Sequence, residues 1–160
     1  MLGSKRDTPE AVAMRDEFDE MLRANHGDAA VSCVNDLVDA ASAFGGYPTI
    51  GTDVRNPRLF INFKTKATGK TYWPLGINSR AGKVGMQLRW LANHPAFADE
   101  DRRAEIVERI AHAIDQHIDA PRLDGFPGFP VEALTQPGVV AKVADALHWM
   151  VETADGSPAS

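Results

Sequence analysis

The chain is poor in several things, and each shortage removes a class of explanation. It has one cysteine, Cys33, in 160 residues, so no disulfide framework can form within it. Small secreted domains usually carry several pairs, and a reducing, cytoplasmic setting is therefore the expectation. No segment approaches the roughly 18 consecutive apolar residues of a membrane span. Met1-Leu2-Gly3-Ser4-Lys5-Arg6 lacks the apolar stretch of a secretory signal. A soluble protein with no membrane partner is the reading. Positive charge is also in short supply, with 17 Lys and Arg against 22 Asp and Glu and a net charge of −5. That balance disfavours wholesale wrapping of a polyanion.

The middle of the chain lacks the opposite sign. Between Val54 and Ala98 stand Arg55, Arg58, Lys64, Lys66, Lys70, Arg80, Lys83 and Arg89 without one Asp or Glu, a local +8. The rest of the chain holds nine basic and 22 acidic side chains, or −13. Such asymmetry points to an anionic partner for the middle segment, or to an internal contact with the acidic flanks. What is plentiful is apolar surface: 44% hydrophobic and 24% charged residues suit one globular domain spanning 1–160, with 1–8 and 154–160 flexible. A core of that size calls for no cofactor or metal.

Periodicity divides the chain into three parts. Thr8-Pro9-Glu10 is a helix start, and Ala11, Met14, Phe18 and Leu22 recur at helical spacing to about Ala24. Asn25-His26-Gly27 stops that helix. Asp28 caps a second, with a stripe of Val31, Val34, Val38 and Ala41, ended by Gly45-Gly46. The repeat then shortens to two residues. Leu59, Ile61 and Phe63 share a face in one strand, Trp73, Leu75 and Ile77 in a second, and Val84, Met86, Leu88 and Trp90 in a third. Pro74 cannot donate to a ladder, so a bulge or break is expected there. A long helix from Glu100 to about Asp119 follows, and Pro121 ends it. Residues 121–130 are too rich in Gly and Pro for a regular element, although Leu123, Phe126 and Phe129 should pin them to the core. A last helix spans about Gly138 to Val151. The fold expected is α+β: an N-terminal helical hairpin, a small antiparallel sheet of three to four strands, and two C-terminal helices.

Strand parity gives the leading functional reading. With the apolar set packed inward, the opposite face carries Phe60, Asn62, Lys64, Tyr72, Lys83, Gly85, Gln87 and Arg89. Rings stack bases, cations meet phosphates and amides reach base edges, so this face suits a nucleic acid or another anionic ligand. A non-enzymatic accessory protein of bacterial or phage type is expected. The second reading is a protein-interaction module or homodimer using Trp149 with Phe126 and Phe129. Trp149 falls on the polar side of the last helix, where a loop of this chain or another chain must cover it.

The third reading is enzymatic. Asp53 followed by Asn62-Phe63-Lys64 is similar to the pattern of restriction-endonuclease-like proteins, an Asp and then Asp/Glu-x-Lys on adjacent strands. That resemblance implies a carboxylate pair holding a divalent ion and a Lys assisting the phosphate. Position 62 is Asn, so the second carboxylate is missing, and a degenerate relative fits better than an active one. Gly69-Lys70-Thr71 resembles the end of a phosphate-binding loop, but position 64 is Lys where that loop needs Gly, and a hairpin turn is expected. His117 is expected among core residues. His112, Asp115 and Asp119 share one face of the long helix and could touch a metal, although a solvated face explains them equally.

Overall fold

Thr8 starts the first helix as a cap: its Oγ1 accepts from the Ala11 N–H at 3.1 Å, Pro9 fills the first turn, and α1 runs Pro9–His26. The computed structural model describes residues 8–51 and 55–156 and has α+β architecture, with five α-helices and a five-stranded antiparallel sheet. Gly27, at φ +90°, turns the chain directly into α2, Asp28–Ser42. The helical hairpin is therefore present, with Asp28 as its first helical residue and not its cap.

The sheet is larger than the period-two signal indicates. Its strands are β1 Tyr47–Ile50, β2 Arg58–Lys64, β3 Thr71–Asn78, β4 Lys83–Met86 and β5 Gly128–Pro130, and they lie side by side in that order. The last joins from the segment whose Gly and Pro content argued against any regular element. Phe129 pairs with Val84 and is buried, so one of the three residues proposed for an interface belongs to the core.

The parity breaks at Pro74. Ile61 pairs with Leu75, but Phe63 pairs with Tyr72, so Trp73 and Pro74 together oppose Asn62. This is a β-bulge, and it occurs where the strand has no N–H to donate. Its consequence is an exchange of faces. Tyr72 turns inward, with ring centroids 5.7 Å from both Phe63 and Phe97, and Trp73 leaves the core face. The last of the three expected strands, β4, also ends early. After Met86 the chain enters a short helix, α3 Leu88–Leu91, which keeps Leu88 inside and turns Trp90 out, 46% exposed.

The inner face of the sheet, with Leu59, Ile61, Phe63, Leu75, Ile77, Val84 and Met86 all buried, packs against the helical layer. α1 and α2 lie against β1, and α2 packs on α5, Val139–Gly156, which in turn packs on α4, Glu100–Ile114. α4 stops five residues sooner than expected: Asp115 sits in the left-handed region at φ 53° and closes it. His117 is consequently exposed and not a core residue, and Asp119 shares no helix face with His112. α5 continues through Gly156 with Ala154 buried, so residues 154–156 belong to the last helix. Residues 1–7 and 157–160 of the expected flexible ends, and Asp53 of the nuclease comparison, lie outside the described residues. No helix among the described residues is long and apolar enough to cross a membrane.

Candidate functional site

The outer face of the sheet is built around one row of residues. Thr49 pairs with Phe60, Phe60 with Gly76, Gly76 with Gly85 and Gly85 with Gly128, so three neighbouring strands each contribute a glycine to the same line. Side chains on this face stand perpendicular to the sheet, and a row without them leaves room that neighbouring groups lean into. Gly128 has no room for more: a Cβ there would lie 2.2 Å from the Val84 carbonyl oxygen.

The row alongside carries polar groups, because residues two apart on a strand share a face. Arg58 pairs with Asn78, and Lys83 with Pro130. Trp73, Gln87, Trp90 and Phe126 complete the groove, which has a volume of about 420 Å³. The Phe60 ring and the Gln87 amide lean over Gly76, each 2.9 Å from where its Cβ would be, and the Gln87 Nε2 donates to the Gly85 carbonyl at 3.1 Å. Lys83 donates to the Phe126 carbonyl at 2.7 Å and so ties the rim to β4. Phe126 and Trp90 are 6.5 Å apart by ring centroids, and the Arg89 guanidinium stands 5.7 Å from the Trp90 ring centre. The lining contains two cations, four rings and two amides, and no carboxylate, imidazole or thiol among the described residues.

The nearest acid on the rim is already engaged. Arg122 holds Asp124 through two hydrogen bonds of 3.2 Å, and that bond, its charge and the charge of Arg89 keep the carboxyl below its usual range. Among the described residues, no carboxylate forms an ion pair with Arg58 or Lys83.

The residues proposed from parity are distributed as follows. Phe60, Lys83 and Gln87 line the groove, and Arg89 stands at its rim. Lys64 is exposed on the same face, opposite Thr71 and beyond the groove proper. Asn62 lies within the sheet and is used by the fold, its Nδ2 donating to the Tyr47 carbonyl, the Thr49 hydroxyl and the Phe60 carbonyl. Tyr72 is in the core. Sequence reasoning missed Arg58, Trp73, Asn78 and Trp90. Arg58 and Asn78 have the parity of Phe60 and Gly76 and only needed longer strands. The two tryptophans had no such signal, since a bulge and a helical turn reorient them.

The remaining candidates separate. Trp149 is half-buried in the helical layer, with the Arg109 guanidinium of α4 at 4.0 Å from its ring centre. Among the described residues no three His, Cys, Asp or Glu side chains converge as a metal would require. Burial, and then the Asp36 carboxylate, push the Cys33 thiol up, away from reactivity. Comparison with protein-family models, curated proteins and solved structures finds no match for this chain.

Proposed function

We propose that the chain is a binding protein for single-stranded nucleic acid, held in the outer groove of the sheet. The observation that carries this reading is the composition of the lining: Phe60, Trp73, Trp90 and Phe126 beside Arg58 and Lys83, over a glycine floor, with no acid among them. Exposed bases stack on aromatic faces, and phosphates are drawn to Arg and Lys. The same lining supplies no proton acceptor for general base chemistry, which favours holding a ligand over transforming one.

Titration of intrinsic tryptophan fluorescence with a short oligothymidylate at low salt tests the reading, since Trp73 and Trp90 stand in the groove. Arg58→Glu with Lys83→Glu should weaken binding at least tenfold, and the log–log salt slope should fall by about 1.4, which is about 0.7 for each of two phosphates. A wild-type protein that binds neither single-stranded DNA nor RNA at low salt overturns it.

A second reading rests on the exposure of Trp90 and Phe126, 46% and 41%. An exposed aromatic pair is an anchor for a protein partner or a second copy of the chain. Sedimentation of wild type against Trp90→Ala decides it: a dimer dissolved by that change supports this reading, and a monomer at high concentration removes the second copy.

A further inference from the structure

We infer, resting on the reading above, that the groove takes a run of several nucleotides of a strand, because a second and smaller subsite for a further phosphate lies beyond Trp73 and Trp90. These two indoles line the groove on one side and, on the other, a crevice of about 100 Å³ shared with Lys70, Thr71, Asn93 and His94. Its volume is about a quarter of the groove's, a size that suits a phosphate group better than a base.

The chemistry of the crevice fits that occupant. The Lys70 ammonium donates to the Asn93 carbonyl at 2.8 Å, which fixes its position and leaves two of its three protons to offer. Thr71 adds a hydroxyl at the mouth, and Lys64 stands directly across the ladder from it. Opposed side chains of this kind lie roughly 4.5–5.5 Å apart at Cβ. No carboxylate lines the crevice. His94 contributes no charge: its Nδ1 accepts from the Ala96 N–H at 3.1 Å, so the proton resides on Nε2, directed at the Thr65 hydroxyl 2.7 Å away. Burial, and then the nearby Lys70 charge, keep this imidazole neutral.

Cations thus stand at both ends of the aromatic groove, Arg58 and Lys83 at one and Lys70 with Lys64 at the other. A strand carries a phosphate at every nucleotide, whereas a free 5′-monophosphate has one. Only a strand of several nucleotides reaches both ends, since Arg58 and Lys64 stand at opposite ends of β2, about 20 Å apart at roughly 3.3 Å per residue.

The test compares an oligothymidylate with thymidine 5′-monophosphate on wild type, Lys70→Ala and Lys66→Ala. Lys66 belongs to the same turn, is 85% exposed and lies outside the crevice, so it controls for loss of bulk charge. The oligomer should bind more than tenfold tighter than the monophosphate. Lys70→Ala should weaken the oligomer about fivefold and take about 0.7 off the salt slope, with Lys66→Ala close to wild type. If the oligomer binds and Lys70→Ala matches either wild type or Lys66→Ala, the second subsite is wrong and the groove stands. If wild type binds no oligomer, the groove reading fails and this inference fails with it.

Discussion

His26 joins three parts of the chain at one imidazole, and its protonation carries stability. Nδ1 lies 2.7 Å from the Glu132 carboxylate and Nε2 3.1 Å from the Arg80 carbonyl, so both ring nitrogens face acceptors and both want a proton. Burial alone lowers this group, but the Glu132 hydrogen bond, the Arg80 carbonyl and the Glu132 charge together raise it. Glu132 moves the other way, held down chiefly by its bond to His26. The raised His stabilises below its unfolded value of 6.5 and loses that contribution as pH rises through its folded value; the lowered Glu stabilises above 4.5 and loses it as pH falls. The pair is strongest between about pH 4.5 and 6.5. Urea unfolding of wild type and Glu132→Gln should accordingly differ most in that window and converge toward pH 8; a difference independent of pH refutes the assignment. Gly82 lies beneath the same ring at φ +66°, where a Cβ would be 2.3 Å from the imidazole, so Gly82→Ala should cost more than about 1 kcal/mol. The Tyr72 hydroxyl offers the reverse case. Among the described residues it is buried without a hydrogen-bond partner, and its removal in Tyr72→Phe should raise stability by about 1 kcal/mol in the same assay. A loss instead would show that the hydroxyl is satisfied.

Among elements, α4 does more than cover the core. Arg103 is buried, and its guanidinium donates to the carbonyls of Phe97 at 2.9 Å, Ala98 at 2.7 Å and Leu123 at 2.6 Å. Leu123 begins the segment that carries Phe126 to the groove, so a helix on the inner side positions a rim on the outer one. Arg103→Lys keeps the charge but cannot reach three carbonyls with a fixed fork, and it should destabilise by about 1.5–3 kcal/mol. It should also weaken oligonucleotide binding without changing the salt slope, since Arg103 meets no phosphate. An altered slope with intact stability contradicts that role. This link between helix and rim had no sequence signal, because a buried arginine looks like any other in a polar stretch. Helices and the inner strand positions were legible, since burial of one stripe or one face imposes its period on the residues. β1 and β5 were not: four and three residues are too few to display a period, and Pro48, Gly128 and Pro130 argued against strands that only pairing with β2 and β4 makes stable. The bulge was legible from Pro74 alone, yet its effect on Tyr72 and Trp73 required knowing which strand received the extra residue. The candidate groove was therefore partly legible: parity placed Phe60 and Lys83 on the outer face, whereas Gln87 and Arg89 stand past the end of β4 and the two tryptophans were hidden by irregular backbone.

Across the whole molecule the charge asymmetry becomes a difference between layers. The acid-free stretch from Val54 to Ala98 forms three of the five strands, and the excess of −13 is carried by the remainder, helices α1, α2, α4 and α5 included. A polyanion approaching the helical layer meets like charge, and one approaching the outer sheet face meets Arg58, Lys64, Lys70, Lys83 and Arg89, so long-range forces orient the encounter. Short-range fit in the groove is a separate contribution, and Gly85 allows the two to be measured apart. A Cβ at Gly85 would find Gln87 Nε2 at 3.5 Å and the Gly76 carbonyl oxygen at 3.8 Å, ordinary contacts, and the backbone there needs no positive φ. Gly85→Val should therefore still fold, with the Gln87 amide giving way to the added Cγ atoms and the β-branched side chain suiting a strand better than glycine; urea unfolding beside wild type checks this. The two added methyl groups would occupy the floor on which a base must lie. Oligonucleotide affinity should fall at least tenfold, and the residual binding should keep the wild-type salt slope, because no cation has been removed. Arg58→Glu with Lys83→Glu should show the complementary result, a reduced slope over an open groove. If Gly85→Val binds as wild type does, the base does not enter the groove, and only a diffuse attraction to the cationic face would remain.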